Sequence, residues 1–167
     1  MIWFTSDTHY GHQNIIFYCN RPFTNAQKME QVMIARYRDV VKDDDTVYFL
    51  GDLTIKGSQH RGYLEHVVGQ LPGTKILILG NHDKFDPFVY EEIGFRSVHT
   101  ALEVEEFILV HDPAKSVTDS SKLWLVGHIH TLFKKQKNCL NVGVDQWEFY
   151  PISLEEVRRE FNEESSK

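Results

Sequence analysis

Short runs of β-branched and aromatic residues recur along the chain, and longer polar stretches separate them. Runs of this length and composition are typical of buried β-strands. The chain shows no internal repeat, linker or low-complexity segment. The pattern predicts strands at residues 2–5, 47–50, 76–79, 107–110 and 123–126.

Two helices are predicted between the first three strands. Apolar side chains recur at helical spacing over about residues 26–41, and a second helical pattern covers about residues 59–71. The β-α-β-α-β order implies parallel strands, because each helix carries the chain back to the same end of the sheet. Beyond Phe88 the helical pattern weakens, and closely spaced strands are predicted at residues 97–105, 106–110, 123–126 and 140–144.

The last predicted element is a helix near the C-terminus. Ser153 is followed three residues later by Glu156, the pattern of a capping box in which each side chain accepts a hydrogen bond from the other's backbone N–H. We therefore expect a helix that begins at Ser153 and ends near Asn162. A frayed tail is expected at residues 163–167.

Side chains that can bind metal ions follow each of the five apolar runs, directly or within a few residues. The carboxyl ends of strands in one sheet meet in a single crevice, so these side chains are expected to converge there. Three of the turns place a glycine before the polar residue, which permits a tight turn and close backbone approach. The predicted donors are Asp7, His9, Asp52, Asn81, His111, His128 and His130, and the glycines are Gly51, Gly80 and Gly127.

The chemistry of this donor set narrows the choice of metal. Four imidazoles, two carboxylates and one amide, without a thiolate, suit divalent transition-metal ions such as manganese, iron, zinc or nickel. Seven donors are too many for one tetrahedral ion, but they fit two ions if one carboxylate is shared. Two such ions outweigh the two aspartate charges, so the site would attract a bridging hydroxide and a phosphate oxygen. Manganese is the ion expected to serve in vitro.

Composition and charge fit one cytoplasmic globular domain over residues 1–167. The chain is 41% hydrophobic, which is enough for a single core. The longest apolar run, residues 15–19, is too short to span a membrane, and the N-terminus lacks the regions of a signal peptide. The net charge of −6 disfavours a duplex-binding protein with a broad basic face, but not a phosphate substrate held by metal ions.

The ordered motifs of the chain resemble those of the calcineurin-like metallophosphoesterases. The resemblance implies an α/β fold in which two facing mixed β-sheets are flanked by helices, an α/β/β/α sandwich. The chain is short, as in small bacterial or phage members without an inserted cap domain. The motifs are Asp7-Thr8-His9, Gly51-Asp52, Gly80-Asn81-His82-Asp83, His111 and Gly127-His128-Ile129-His130.

The same resemblance implies a ligand assignment and a reaction. One metal ion is held by Asp7, His9 and His130, the other by Asn81, His111 and His128, with Asp52 as the bridging ligand. His82 matches the family's histidine that binds no metal and lies near the leaving group, and we interpret it as a general acid. The implied activity is hydrolysis of phosphate esters through a metal-bridging hydroxide, without a protein nucleophile.

The substrate class follows from the surroundings of the site. A compact site with few cationic side chains favours a singly charged diester, such as a cyclic nucleotide or a nucleic-acid end. One alternative is a phosphomonoesterase or a nucleotide pyrophosphatase of the same fold. The other is a non-catalytic protein-binding scaffold, which the intact ligand set and His82 disfavour. A homodimer is compatible with the sequence.

Four further features leave two interpretations each. Many family members have Gly-Asn soon after the first motif, whereas this chain has Tyr10-Gly11-His12-Gln13-Asn14. His12 either returns to the crevice and donates a hydrogen bond to a phosphate, or packs against the next segment.

Arg21 either clamps a phosphate or forms a surface salt bridge. Residues 134–137, which contain three lysines, guide phosphates or form a solvated loop. Asp83 either orients His82 or caps the following segment.

Overall fold

Ten strands and five helices make up the part of the chain that the structure, a computed structural model, describes: residues 1–55, 60–114 and 121–162. A 3-10 turn, Val144–Gln146, precedes the last strand. In chain order the elements are β1 (Ile2–Thr5), α1 (Gln13–Tyr18), α2 (Ala26–Val40), β2 (Thr46–Phe49), α3 (Arg61–Val68), β3 (Thr74–Ile78), α4 (Pro87–Glu92), β4 (Phe95–His99), β5 (Leu102–Val104), β6 (Phe107–Leu109), β7 (Leu123–Val126), β8 (Lys135–Gln136), β9 (Cys139–Asn141), β10 (Ile152–Ser153) and α5 (Leu154–Asn162).

The strands form two mixed sheets of five strands each. The first has the order β10-β1-β2-β3-β4, and its strands β1 to β4 are parallel, as the alternation of strands and helices predicts. The second has the order β5-β6-β7-β9-β8, with parallel pairs in its centre and antiparallel pairs at both edges. Two mixed sheets with flanking helices confirm the predicted fold class.

The two faces of the first sheet belong to different parts of the core. In β1, Trp3 packs with Met33 and Tyr37 of α2, whereas the next residue, Phe4, packs with Leu125 of the second sheet. Successive side chains of a strand point to opposite faces, and β1, β2 and β3 contribute to both layers. The helices thus cover one face of the first sheet, and the second sheet covers the other.

The last helix closes one edge of this arrangement. The predicted capping box is confirmed: Glu156 N donates to Ser153 Oγ (3.2 Å), and Ser153 N donates to Glu156 Oε2 (2.9 Å). Val157 is fully buried in the core between the two sheets. No helix in the described ranges is long and apolar enough to cross a membrane.

Two short helices, α1 and α4, were not predicted. Each has six residues, fewer than two turns, so neither produces a recognisable helical period. The predicted strand at residues 97–105 is in fact two strands, because the chain leaves the first sheet after His99 and enters the second at Leu102. The start of the predicted helix 59–71 lies partly outside the described residues, and α3 itself begins at Arg61.

Candidate metal centre

The seven predicted metal ligands all follow strands, and the structure brings them together at one end of the sandwich. The two sheets are joined at this end by a parallel bridge between Ser6, after β1, and Gly143, after β9. The loop after β1 also pairs with the loop after β2, since Asp7 N donates to Gly51 O and His9 N donates to Asp52 O, each at 3.0 Å. The crevice is therefore built from both sheets.

A first ligand group consists of Asp7, His9 and His130, whose potential ligand atoms lie within 4.8 Å of one another. Asp7 is fully buried and His9 is 1% exposed. Asp7 Oδ1 and both ring nitrogens of His9 are buried and have no hydrogen-bond partner among the described residues. Unpaired buried polar atoms are costly, and a cation at this position would satisfy them. The residues present therefore fit a metal ion.

A second ligand group consists of Asp52, His111 and His128, with Asn81 beside them. Asn81 Oδ1 lies 3.0 Å from His111 Nε2 and 2.9 Å from His128 Nδ1. The other nitrogen of His111, Nδ1, donates to the carbonyl oxygen of Leu50 at 2.6 Å. A backbone acceptor on one ring nitrogen directs the other nitrogen into the site, as is usual for metal-binding histidines.

Asp52 lies between the two groups. Its Oδ2 atom is 3.5 Å from His111 Nε2 in the second group and 3.7 Å from His9 Nε2 in the first. Its Oδ1 atom accepts a hydrogen bond from the backbone N–H of His82 at 2.8 Å. One carboxylate oxygen thus faces imidazoles of both groups, which is the placement that a bridging ligand needs.

Burial and neighbouring charges shift the pKa values of the ionisable groups in the crevice. Burial raises the pKa of Asp52, but hydrogen bonding and the charge of His111 outweigh this effect and hold the pKa at about 2. Burial lowers the pKa of His111, but the hydrogen bond to Asp52 and the negative charges of Asp52 and Asp7 outweigh this effect and raise the pKa to about 9. Burial lowers the pKa of His9 to about 2, so this ring stays neutral, the form that binds a metal.

Most of the predicted ligands have an unusual backbone conformation. The left-handed region is rarely populated by residues other than glycine and costs free energy, although aspartate and histidine enter it more readily than most. Non-glycine residues in this region cluster at functional sites. The predicted ligands with positive φ are Asp7 (56°), His9 (47°), Asp52 (55°), His128 (72°) and His130 (46°).

The three glycines before predicted ligands occupy the close positions expected of them. Gly51 has a φ of 90°, and a Cβ atom on it would overlap the backbone of Gly80. A Cβ atom on Gly80 would overlap the carboxylate of Asp52, and one on Gly127 would overlap Ser6 Oγ. The prediction of close backbone approach is confirmed, because side chains at these positions would push the ligand loops apart.

Asp83 supports the site by a role that differs from the two predicted ones, orienting His82 and capping the following segment. Its carboxylate accepts hydrogen bonds from the backbone N–H groups of Asp52 (2.8 Å), Leu53 (3.2 Å) and Gly80 (2.9 Å). Burial raises the pKa of Asp83 to about 6. The side chain neither contacts the ring of His82 nor caps the next segment in these bonds; it ties the loop after β2 to the loop after β3.

Arg21 is buried behind the first group. Its Nε and Nη2 atoms both donate to the carboxylate of Asp145 at 2.8 Å, and Nη1 and Nη2 also donate to the carbonyl oxygens of Thr8 and Asp7. The predicted salt bridge exists, but it is buried rather than at the surface, with side-chain exposures of 0% and 2%. These N–H groups of Arg21 all donate to acceptors within the protein. The interpretation of Arg21 as a phosphate clamp is therefore corrected.

Asp145 is the residue that the sequence analysis missed. Its Oδ2 atom lies 3.0 Å from His130 Nδ1, so the carboxylate connects Arg21 to a predicted ligand. Burial lowers the pKa of His130, but this hydrogen bond outweighs the effect of burial and raises the pKa of the ring to about 10. A signal was present in the sequence: Asp145 follows β9, which is parallel to β7, and it lies in the turn directly after Gly143.

His82 lies at the open side of the crevice. Its side chain is 40% exposed, and its Nε2 atom is 3.9 Å from Asp52 Oδ2. Its ring packs edge-on to His9 with the centroids 5.6 Å apart. Among the described residues, His82 belongs to none of the three clusters whose ligand atoms lie within 4.8 Å of one another.

His12 lies beside the first group. Gly11 has a φ of 73°, and the chain turns there so that His12 N donates to the carbonyl oxygen of His9 at 3.0 Å. The ring centroids of His12 and His9 are 5.6 Å apart. His12 is the N-cap residue of α1, but its side chain makes no capping hydrogen bond. The His12 ring also lies 6.2 Å from the ring of Tyr18 in α1, measured between centroids, so His12 both borders the crevice and packs against the next segment.

Two of the three lysines of residues 134–137, Lys134 and Lys135, contact α5. Lys134 Nζ binds Glu160 Oε1 at 2.6 Å and lies 4.1 Å from the centroid of a Trp147 ring. Lys135 Nζ donates to the carbonyl oxygen of Glu160 at 2.6 Å. These two side chains are held by the helix rather than pointing freely into solvent or toward the crevice.

Comparison with known sequences identifies relatives along nearly the whole chain. An uncharacterised protein of Methanocaldococcus jannaschii is 36% identical over 167 residues, which cover 92% of this chain and 87% of the relative. The Gene 66 protein of Mycobacterium phage L5 is 26% identical, with 87% of this chain and 86% of the relative covered.

Solved structures share the fold. A protein of unknown function from Aquifex aeolicus has a TM-score of 0.74 and 26% identity, covering 95% of this chain and 98% of its own. The nuclease MPE of Pseudomonas putida has a TM-score of 0.53 and 21% identity, covering 77% and 61%. The sequence pattern of the calcineurin-like phosphoesterases matches residues 1–155. With two mixed sheets and the Asp and His clusters between them, the chain belongs to the calcineurin-like phosphoesterase family.

Proposed function

We propose that this metallophosphoesterase is a phosphodiesterase with two metal ions that acts on cyclic nucleotides or nucleic-acid ends. The observation that carries the proposal is the convergence of the predicted donors on Asp52, whose Oδ2 faces His9 on one side and His111 on the other. The atoms of Asp7 and His9 that have no hydrogen-bond partner among the described residues are further support, because a cation would satisfy them.

The ligand groups define which residues would hold the ions. Asp7, His9 and His130 would hold one, Asn81, His111 and His128 the other, and Asp52 would contact both. When bound, two divalent ions lower the pKa of water toward neutrality and neutralise charge on the phosphate oxygens. Manganese is the ion we propose for activity in vitro.

His82 would supply the proton that the leaving group needs. Its Nε2 atom lies near Asp52 but its side chain is 40% exposed, so it can reach a substrate that enters from solvent. A general acid must come within hydrogen-bond distance of the departing oxygen, and a side chain at the mouth of the crevice meets this condition. Asp52 contributes to its placement by accepting a hydrogen bond from the His82 backbone N–H.

Arg21, Lys134 and Lys135 are bound to groups of the protein itself, and this favours a diester over a monoester as the substrate. A monoester carries an additional negative charge and gains more from a cationic clamp. Arg21 is committed to Asp145 and to backbone carbonyls, whereas Lys134 and Lys135 are bound to Glu160. A fold shared with a Pseudomonas putida nuclease is compatible with a nucleic-acid end as the substrate.

The test uses protein reconstituted with manganese. Hydrolysis of bis(p-nitrophenyl) phosphate is expected to be faster than hydrolysis of p-nitrophenyl phosphate, and metal analysis is expected to show two ions per chain. His9→Ala should reduce both activity and metal content. His66→Ala, which removes an exposed histidine of α3, is the matched control and should change neither.

Three results would contradict the proposal. Saturation at one ion with full activity would exclude the two-ion site. A clear preference for the monoester would favour a phosphomonoesterase instead. Binding of two ions without turnover of any ester in a panel of cyclic nucleotides, oligonucleotides and monoesters would favour the scaffold.

A further inference from the structure

The short helix α1 presents two aromatic side chains to solvent near the crevice. Ile15 and Ile16 are buried in the core, but Phe17 and Tyr18 are each 73% exposed. Scattered exposed apolar residues are common on protein surfaces and need no special explanation. Two adjacent aromatic rings beside a candidate catalytic site are a different case, because an aromatic surface there can contact the substrate.

Tyr18 is the outer end of a row of rings that begins inside the first ligand group. The centroids of His130 and His9 are 5.2 Å apart, those of His9 and His12 are 5.6 Å apart, and those of His12 and Tyr18 are 6.2 Å apart. His9 is 1% exposed and Tyr18 is 73% exposed. The row therefore leads from the buried predicted ligands outward to solvent.

The residue after Tyr18 fixes this end of the helix against the site. Cys19 Sγ lies within 4.8 Å of the ligand atoms of His130 and Asp145. The backbone N–H of Cys19 also donates to the carbonyl oxygen of Ile15, which is buried in the core. The backbone next to Tyr18 is therefore held both by the core and beside the first ligand group.

We propose that Tyr18 stacks on a nucleobase of a single-stranded nucleic-acid end whose phosphate lies in the crevice. The proposal rests on the proposed phosphodiesterase function and identifies the part of the substrate beyond the phosphate. In a nucleotide one sugar separates the phosphate from its base. A phosphate beside His9 and His12 therefore places the base outward along the ring row, where Tyr18 is the exposed ring.

The charge of the protein supports stacking as the source of affinity. The net charge of −6 is unfavourable for binding that depends on many lysine and arginine contacts to a phosphate backbone. Aromatic side chains bind bases of any sequence, because every base has a π-face. A paired end would keep its bases in the duplex stack, so we infer an unpaired terminal nucleotide.

The experiment compares two diesters with the same leaving group: thymidine 5′-(p-nitrophenyl phosphate), which carries a base, and methyl p-nitrophenyl phosphate, which carries none. Tyr18→Ala should lower kcat/KM for the thymidine ester by about 10-fold or more and leave that for the methyl ester unchanged. Tyr18→Phe keeps the ring and should retain activity on both. Phe17→Ala is the matched control, since Phe17 is equally exposed and has no aromatic contact among the described residues.

A binding measurement separates this inference from the proposed function. Fluorescence anisotropy with a labelled single-stranded oligothymidylate containing phosphorothioate linkages measures affinity without turnover. Tyr18→Ala should weaken binding about 10-fold, whereas Phe17→Ala should not. If neither diester is hydrolysed, the proposed function fails, and anisotropy still decides the role of Tyr18. Equal affinities of wild type and Tyr18→Ala, no binding by wild type, or equal kinetic losses on both diesters would overturn the inference.

Discussion

The two ligand groups of the candidate metal centre differ in how their polar atoms are satisfied. In the first, Asp7 Oδ1 and both nitrogens of His9 are buried and unpartnered. In the second, Asn81 and His128 are exposed, and the Asn81 oxygen lies within hydrogen-bond distance of two imidazoles. The first group therefore depends on a cation, whereas the second is satisfied largely within itself and with solvent. We expect the first group to bind its ion more tightly.

A second difference lies in the support behind each group. The first is held by buried side chains: Arg21 binds the backbone of Asp7 and Thr8, and Asp145 binds His130. The second is held by the backbone carbonyl of Leu50 behind His111 and by the carboxylate of Asp83, which binds the backbone N–H groups of Asp52 and Gly80. Arg21 and Asp145 contact residues of the first group, so mutating them should disturb that group selectively, and the following substitutions use this contrast.

The largest effect is expected for Asp52→Asn, which removes the carboxylate shared by both groups. It should lower the affinity for both ions by more than about 100-fold, beyond the range for residues that only support a ligand. His9→Ala should lower chiefly the first affinity. Isothermal titration calorimetry of the two variants measures both affinities. Unchanged occupancy of both sites in Asp52→Asn would show that this residue does not bridge the ions.

His82→Ala tests whether the open side of the crevice supplies a proton. The variant should retain both ions and lose about 10²- to 10⁴-fold in rate on diesters with poor alkoxide leaving groups. The loss on nitrophenyl esters should be smaller, because their leaving groups need little protonation. Rates on both kinds of ester, with metal content measured in parallel, provide the check. Equal losses would indicate that His82 positions the phosphate instead.

Asp145→Asn should affect only the first group. Loss of the carboxylate that binds His130 should weaken the first ion by about 10- to 100-fold and leave the second unchanged. Metal titration followed by calorimetry resolves the two events. Glu92→Gln is the matched control, because it breaks an exposed ion pair with Arg61 and should change neither affinity. Equal weakening of both ions by Asp145→Asn would mean that the two groups are not supported separately.

The smallest effect is expected for His12→Ala. If His12 donates a hydrogen bond to a substrate phosphate, kcat/KM should fall about 10-fold while metal content and Tm stay the same. The position of the His12 ring beside the His9 ring favours this outcome. Thermal unfolding and steady-state kinetics on the same preparation decide it. A Tm lower by several degrees with unchanged turnover would assign His12 to the fold.

The sequence predicts the crevice well because its residues follow strands. A strand is visible as a short apolar run, and parallel strands end at the same place, so the seven polar residues after them converge. The buried support is harder to predict. Arg21 and Asp145 are 124 positions apart, and neither lies in a motif. Whether an arginine clamps a substrate or braces a backbone depends on tertiary packing that local patterns do not contain.

Helices, too, differ in how well the sequence predicts them. Helix α2 has 15 residues and buries a regular stripe that includes Met29, Met33 and Tyr37, so its period is evident in the sequence. Helix α1 has six residues, and its apolar run Ile15–Tyr18 resembles a strand as much as a helix. Its orientation, with two residues buried and two exposed, is set by contacts with the core.

The left-handed backbone of the ligand loops has a practical consequence for handling the protein. Each such residue costs of order 1 kcal/mol, and a protein of this size is stable by only about 5–15 kcal/mol. An ion that binds only the folded chain offsets this cost, by about 4 kcal/mol at a thousand times its dissociation constant. Chelating agents should therefore act as mild denaturants. Buffers that contain EDTA would shorten the storage life of the protein and expose its loops to proteases, and adding the bound metal ion before storage would protect them.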